Sequence, residues 1–398
     1  MRAFASSIWK QTSSVGQPSP NVSAGTTEHE TEWDRVSTAA QHRGDMDSDR
    51  AIQVTSTTFK YNRSITALMA YSNYEEMLKS GTIPNTETYN TVIVSCANAG
   101  GRDSWQKALH LFYEMETKGV KRDTLTYNAT ITICKKRYQW KQALNLFYEM
   151  ETNGIERDTI TYNAIISACN KRYQWQKALD LFYEMETKGI ERDTKTYSAA
   201  ITAYGMGKQW QKALNLFYEL ETKGLKRNRM TYSAAISVCG KGDMWQKALD
   251  LFYEMETKGI EQNWMTYSAA IYACERGEQW QKALDLFYEM KTKGIKRDTI
   301  IYNTIISACE KVDNGQKALN LFHEMGTKGI TRDTVTYNTT ISACEKGDQW
   351  QKALNLFNEM ETKGIKRNKR TYSAAISACG KGDMWQYALD LFYEMETK

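Results

Sequence analysis

The stretch Thr161-Tyr162-Asn163-Ala164-Ile165-Ile166-Ser167-Ala168-Cys169, followed by Trp175-Gln176-Lys177-Ala178-Leu179-Asp180-Leu181-Phe182-Tyr183-Glu184-Met185 and then Lys188-Gly189-Ile190, decides the fold. Tyr162, Ile165, Ile166 and Cys169 stand at i, i+3, i+4 and i+7, one face of a first helix, and Ala178, Leu181, Phe182 and Met185 repeat that spacing on a second. Asp158 and Thr159 suit the start of the first helix, and Gly189 supplies the left-handed stop of the second. Neither helix can bury its apolar face alone, so each hairpin must stack on another.

Partners for that stacking are written along the chain. The block at Trp175 returns at Trp105, Trp140, Trp210, Trp245, Trp280, Trp350 and Trp385, mostly 35 residues apart, with Gly315 in the tryptophan place of one further unit. Units begin at Thr86, Thr124, Thr159, Thr194, Arg229, Trp264, Thr299, Thr334 and Lys369, the first lengthened by about three residues near Gly100 and the last ending short at Lys398. The expected fold is all-α, a right-handed superhelical α-solenoid of about nine helix-turn-helix repeats of 35 residues, with the first helices lining its concave side. Residues 86–398 form the array. Residues 51–85, which include Ala67-Leu68 and Tyr74 to Gly81, are expected to be a degenerate capping repeat. Residues 1–50, rich in Ser, Thr, Gln and Gly without apolar periodicity, are expected to be a disordered tail. The opening residues Met1 to Lys10, with no acid before Glu28, have the character of a transit peptide, which points to a mitochondrion or plastid; an ordinary tail would leave the chain in the cytoplasm.

Composition agrees with a helical array. Of 398 residues 25% are charged and three are proline, none after Pro84, so no later helix is interrupted. No apolar run approaches the roughly 18 residues of a membrane span, so no membrane partner is expected. The net charge of +5 is too small to identify a partner; its placement matters more. All eight cysteines, Cys96, Cys134, Cys169, Cys239, Cys274, Cys309, Cys344 and Cys379, take the same place in the first helix, with Tyr204 standing there in the fourth unit. Equivalent helices of neighbouring repeats lie about 10 Å apart, too far for a disulfide, so these are read as reduced core residues. No Cys-x-x-Cys exists and the four histidines do not cluster with cysteine, so neither a metal nor a cofactor is expected. The tryptophan column is read as packing.

The text quoted above resembles the pentatricopeptide repeat family, in the form of an uninterrupted array without an appended catalytic domain, over nearly everything from Thr86 to Lys398. It departs from the family in one column: the proline that usually precedes the closing residue fits only at Pro84. Later units carry Arg122, Arg157, Arg192, Arg227, Gln262, Arg297, Arg332 and Arg367, expected in every unit but that of Gln262 to add a cation beside the reading position. The resemblance implies a sequence-specific binder of single-stranded RNA taking one base per repeat, with the N-terminal repeat towards the 5′ end. It implies that two columns read base edges: Asn90, Asn128, Asn163, Ser198, Ser233, Ser268, Asn303, Asn338 and Ser373 in the first helices, and Asp123, Asp158, Asp193, Asn228, Asn263, Asp298, Asp333 and Asn368 closing the repeats. Both hold only short residues able to hydrogen-bond at close range, and both alternate while the surrounding text is copied almost unchanged. The competing reading of the closing column is helix capping.

The resemblance also implies that Leu125, Ile160, Met230, Met265, Ile300 and Val335 sandwich the bases, with Glu87, Lys195 and Arg370 departing from that column. Lys136, Lys171, Lys241, Arg276, Lys311, Lys346 and Lys381 are then a stripe facing the phosphates, broken by Asn98 and Met206. Applied unit by unit, the family's pairing tendencies give 5′-UUUAAGUY-3′, with a purine expected opposite Ser373. The implied role is in organellar RNA processing, stability or translation, by a monomer that could also recruit protein partners. A protein-binding scaffold of tetratricopeptide type is the alternative, opposed by the 35-residue period and the alternating columns. Catalysis is not expected: the zinc deaminase signature is absent, since His29-Glu30 and His323-Glu324 lack the spacer residue and Cys-x-x-Cys is missing.

Overall fold

The computed structural model describes residues 69–99 and 102–397. All of them belong to one compact unit, residues 64–398. The expectations for the tail, the leader and residues 51–68 lie outside the described residues.

A lone helix, α1 (69–79), precedes nine helical hairpins, and no strand occurs among the described residues. The first helices are α2 (Thr86–Ala99), α4 (Thr124–Lys136), α6 (Thr159–Asn170), α8 (Thr194–Met206), α10 (Arg229–Lys241), α12 (Trp264–Arg276), α14 (Thr299–Glu310), α16 (Thr334–Lys346) and α18 (Lys369–Lys381). Their partners are α3 (Arg102–Thr117), α5 (Trp140–Thr152), α7 (Trp175–Thr187), α9 (Trp210–Thr222), α11 (Trp245–Thr257), α13 (Trp280–Thr292), α15 (Gly315–Thr327), α17 (Trp350–Thr362) and α19 (Trp385–Thr397). No helix among the described residues is long and apolar enough to cross a membrane.

Local chemistry sets these bounds. Asp158 starts α6 by accepting the Thr161 backbone N–H at 2.8 Å, while its own N–H donates to the Thr161 hydroxyl at 3.2 Å, a reciprocal cap. At the far end of the hairpin Gly189 takes φ 66° and the Ile190 N–H reaches back to the Met185 carbonyl at 2.8 Å. Each first helix packs on its own second helix and on the next first helix, whereas successive second helices make no comparable contact. Closely spaced first helices and splayed second helices curve the stack, so the first helices form its inner wall.

The core is shared between repeats. Phe182 meets Tyr197 of the following repeat edge-on at 5.4 Å, and Phe252 meets Tyr267 in the same way at 4.8 Å. The Tyr162 hydroxyl, at the end of a fully buried side chain, donates to Glu184 at 2.8 Å, so the buried polar atom is satisfied. Within the array the tryptophans pack as read: Trp175, Trp210 and Trp245 lie against Gly207, Gly242 and Gly277 in the next turn, where a Cβ would come within 3.0 Å of the ring. Trp385 of the last hairpin is exposed. All eight cysteines are free and buried. Burial pushes the Cys134 and Cys239 thiols up to about 12 and those of Cys169 and Cys274 to about 11, the behaviour of inert core residues.

The arginine column corrects one expectation. Arg122 and Arg297 are buried, not turned towards the reading position. The Arg297 guanidinium lies 4.2 Å from the centre of the Phe287 ring and pairs with Glu324 of the next repeat at 3.1 Å. Arg122 also donates to the Phe112 carbonyl at 3.0 Å, and Gln262, in the same column, to that of Phe252 at 2.9 Å. These residues close the turn from inside and tie each repeat to the next.

Candidate nucleic-acid interface

Because the first helices form the inner wall, a side chain at one register of every first helix recurs along one groove. Its central part is lined by Ile160, Asn163, Lys171, Asp193, Lys195, Ser198, Met230, Ser233, Lys241 and Met265 among others. Residues from all four proposed columns therefore share one wall.

Within that wall the two reading columns touch. The Asn90 amide donates to both Asp123 oxygens at 3.0 and 3.1 Å. Asn128 donates to Asp158 at 3.1 Å, Asn163 to Asp193 at 3.0 Å, Asn303 to Asp333 at 3.3 Å and Asn338 to Asn368 at 3.2 Å. One partner was not anticipated from sequence: the threonine three places after the closing residue. The Thr161 hydroxyl donates to the Asn128 amide oxygen at 2.6 Å, and Thr126, Thr196 and Thr371 serve Asn90, Asn163 and Asn338 likewise. That threonine stands in the nearly constant Thr-Tyr text, where invariance hid its role.

Each closing residue from Asp123 to Asn368 also caps the helix after it, so capping is real, and Asp193 shows that it coexists with lining the groove. Burial alone would raise the carboxyls of Asp123, Asp158, Asp193 and Asp333. The hydrogen bonds from the backbone and hydroxyl of the capping threonine, and from asparagine, outweigh it and hold them below the usual 3.8. For Asp158 the bonds from Thr161 and Asn128 all fall on Oδ1, so Oδ2 is the oxygen left for an incoming group.

Where serine replaces asparagine the contact is lost. Among the described residues no hydrogen bond joins Ser198, Ser233 or Ser268 to its closing residue; Ser198 turns to the Met230 carbonyl at 3.4 Å. Asp298 is the least committed carboxylate, since Ile301 stands where the other units have threonine and its backbone N–H at 3.0 Å is the cap's hydrogen bond. Ser373 is exposed on α18.

The apolar column is solvent-exposed, against the usual tendency of such side chains: Leu125, Met230, Met265 and Val335 are about half exposed, and Ile160 and Ile300 are 63% and 64% exposed. A row of exposed apolar side chains beside the reading pairs can flank flat rings. Lys195 stands exposed in the same register.

The basic column divides along the array. Arg276 pairs with Asp243 at 2.7 Å, Lys311 with Glu275 at 2.9 Å, Lys346 with Glu310 at 3.3 Å and Lys381 with Asp348 at 3.0 Å, each partner one repeat back. Lys171 and Lys241 pair with no carboxylate among the described residues, and Lys136 donates to the Ala97 carbonyl at 2.5 Å. Of these partners Glu275 and Glu310 directly precede the basic residue of their own repeat, while Asp243 and Asp348 stand two places after it, and both kinds were passed over in the sequence.

Three models of one family match this chain. The PPR repeat family model matches residues 157–206, 297–346 and 332–381; the pentatricopeptide repeat domain model matches 110–172 and 250–312; and the PPR repeat model matches 87–120, 195–225, 230–260 and 370–398. A pentatricopeptide repeat-containing protein of Arabidopsis thaliana is 44% identical over 52 residues, 13% of this chain and 9% of the relative. The solved pentatricopeptide repeat protein PPR10 in complex with an 18-nt psaJ RNA element is similar in fold, with TM-score 0.52 at 18% identity over 92% of this chain and 64% of that one. The structure of PPR10 from maize matches with TM-score 0.47 at 20% identity, over 91% of this chain and 62% of that one. With hairpins, register and family models in agreement over nearly all of residues 87–398, the chain belongs to the pentatricopeptide repeat family.

Proposed function

We propose that this chain binds single-stranded RNA in its inner groove, one base per repeat, near 5′-UUUAAGUY-3′, by reading each base with a first-helix Asn or Ser and the closing Asp or Asn. The observation that carries the reading is the alignment of contacting Asn–Asp pairs with exposed apolar side chains along one wall. The RNA bound to PPR10, a relative in fold, lends support.

The chemistry of the pairs accords with the order of bases that the resemblance implies. A carboxylate only accepts, so a closing Asp requires a ring N–H, which uracil and guanine offer. A closing Asn can also donate, which suits the ring nitrogen of adenine or cytosine. Serine is shorter than asparagine and leaves room for a purine; asparagine reaches a pyrimidine. Asn90/Asp123, Asn128/Asp158, Asn163/Asp193 and Asn303/Asp333 then select U, Ser198/Asn228 and Ser233/Asn263 select A, Ser268/Asp298 selects G, and Asn338/Asn368 selects a pyrimidine.

The role follows from occupancy: an array that covers a single-stranded site shields it from nucleases and keeps it unpaired, which acts in RNA processing, stability or translation rather than through catalysis. The basic, serine-rich opening residues support an organellar setting. Fluorescence anisotropy with an RNA carrying the predicted site, its scrambled counterpart and the DNA version tests the proposal. Preference for the predicted RNA by at least tenfold is expected, in line with the roughly 1–3 kcal/mol of a good base-edge contact; absence of RNA binding, or binding of peptides instead, overturns it.

A further inference from the structure

The residues that end each first helix and form the turn behind it lie at one register along the solenoid edge, and their charge falls from the second repeat to the sixth. In the second repeat they read Lys135-Lys136-Arg137-Tyr138 and in the third Asn170-Lys171-Arg172-Tyr173. In the fourth they are Gly205-Met206-Gly207-Lys208, and in the sixth to eighth Glu275-Arg276-Gly277-Glu278, Glu310-Lys311-Val312-Asp313 and Glu345-Lys346-Gly347-Asp348. Formal charge falls from +3 in the second repeat, from two Lys and one Arg, through +2 and +1 to −1 in the sixth, where two Glu oppose one Arg. The acidic residues of the later repeats also pair with the basic column there, so little field from that column remains at that end.

The basic end carries a second distinction. From the second repeat to the ninth the last residue of the turn is left-handed, and in the fifth to ninth repeats it is Asp or Glu. In the second and third repeats it is a tyrosine, at φ 60° and 59°, a conformation that bulky side chains rarely take. Neither ring is buried in exchange: Tyr138 is 56% and Tyr173 78% exposed. Lys171 Nζ lies 5.1 Å from the centre of the Tyr138 ring. Lys135 lines the groove beside them, and its ammonium is pushed down, first by burial and then by Lys171, Lys136 and Lys195, which marks concentrated positive charge. Exposed aromatic faces alternating with cations are the chemistry that holds single-stranded nucleic acid without reading sequence.

We propose that the turn edge of the second to fourth repeats is a backbone clamp, in which Lys135, Lys171, Arg172 and Lys208 engage phosphates while unpaired bases stack on Tyr138 and Tyr173, outside the one-base-per-repeat columns. The later repeats hold RNA by base contacts without such a clamp. The inference rests on the RNA-binding reading and deepens it: grip is placed at one end of the array, and readout along its length.

The test uses the full chain and a single-stranded RNA in which 5′-UUUAAGUY-3′ is flanked on its 5′ side by several further unpaired nucleotides free to reach the turn edge, titrated at several salt concentrations. Tyr138→Gly with Tyr173→Gly removes both rings at positions where glycine is the residue best suited to the backbone, so the fold is retained, as circular dichroism would show. About tenfold weaker binding is expected from two lost stacking contacts. Lys171→Gln with Arg172→Gln should weaken binding and lower the slope of log K against log salt by about 1.4, from about 0.7 per phosphate. Lys311→Gln with Lys346→Gln should change affinity less than twofold. Equal losses from the two cation pairs, or unchanged binding by the double tyrosine variant, would overturn the clamp while leaving RNA binding intact. Failure of the unmodified chain to bind the RNA would remove both readings.

Discussion

Arg297 shows how a single residue departs from what its charge suggests. Its side chain is 5% exposed, lies across Phe287 and pairs with Glu324, itself 28% exposed. Removing the guanidinium leaves an opened turn and an unpaired carboxylate, discounted because Glu324 is partly solvated. Arg297→Ala should therefore cost about 1–3 kcal/mol in chemical denaturation, and Arg297→Gln clearly less, since Gln262 fills the same place with a bond to a phenylalanine carbonyl. Equal losses for the two variants would refute the account of this column. That the cation is buried was not legible in the sequence, because it depends on a glutamate 27 residues away being in reach. That the Asn/Ser and Asp/Asn columns stand apart was legible, since they alternate in text that otherwise hardly changes.

The closing aspartates make a second prediction at this scale. Their carboxyls are held below 3.8 in the folded chain, so the stability they contribute is present above that value and disappears as pH falls through the lowered folded values. Asp158→Asn keeps the cap, as Asn228 does, and should reduce the loss of stability on acidification from about pH 5 to 2. An unchanged acid profile would count against the assigned hydrogen bonds.

At the scale of the helix and its turns, spacing and capping residues in the sequence were enough to fix where hairpins form, because each signal is local and repeats nine times. The left-handed residue in the turn was not readable, since Tyr138, Tyr173, Lys208 and the acidic residues share no side-chain property. A non-glycine residue there costs about 1–2 kcal/mol in backbone energy, partly returned by glycine's greater entropy loss on folding. Tyr173→Gly should then leave the thermal midpoint unchanged or raise it, despite deleting a large aromatic side chain. A drop of several degrees would show that the Tyr173 ring supports the fold and is not held out for a ligand.

Across the whole molecule, stability is a sum of repeats and the interfaces between them. The buried apolar core runs as two clusters that change over in α15, the helix that begins with Gly315 in the tryptophan place. There the turn closes backbone on backbone: a Cβ on Gly315 would lie 2.7 Å from the Ala343 carbonyl oxygen, and one on Gly347 2.8 Å from that of Asp313. Hydrogen exchange should show α16 to α19 opening at lower free energy than α6 to α13, where tryptophan packs every junction. Uniform protection along the array would contradict this. The nine-hairpin stack itself was legible from the period alone; the division of its core and of its basic stripe was not, because both depend on which residues of adjacent repeats meet.

The central claim is that the Ser268/Asp298 pair and its counterparts read bases, and one exchange tests it most directly. Asp298 is a cap by a single backbone N–H, so asparagine can replace it without loss of the helix start, as Asn228 and Asn263 show in their own units. The replacement turns an acceptor-only group into one that also donates. Affinities of the unmodified chain and of Asp298→Asn should be measured for two RNAs that differ only at the sixth base of 5′-UUUAAGUY-3′. The account predicts that the unmodified chain prefers G, and that the variant shifts towards A by roughly tenfold, about 1.4 kcal/mol. If both proteins rank the two RNAs identically, the closing column only caps helices and the base-by-base reading is contradicted.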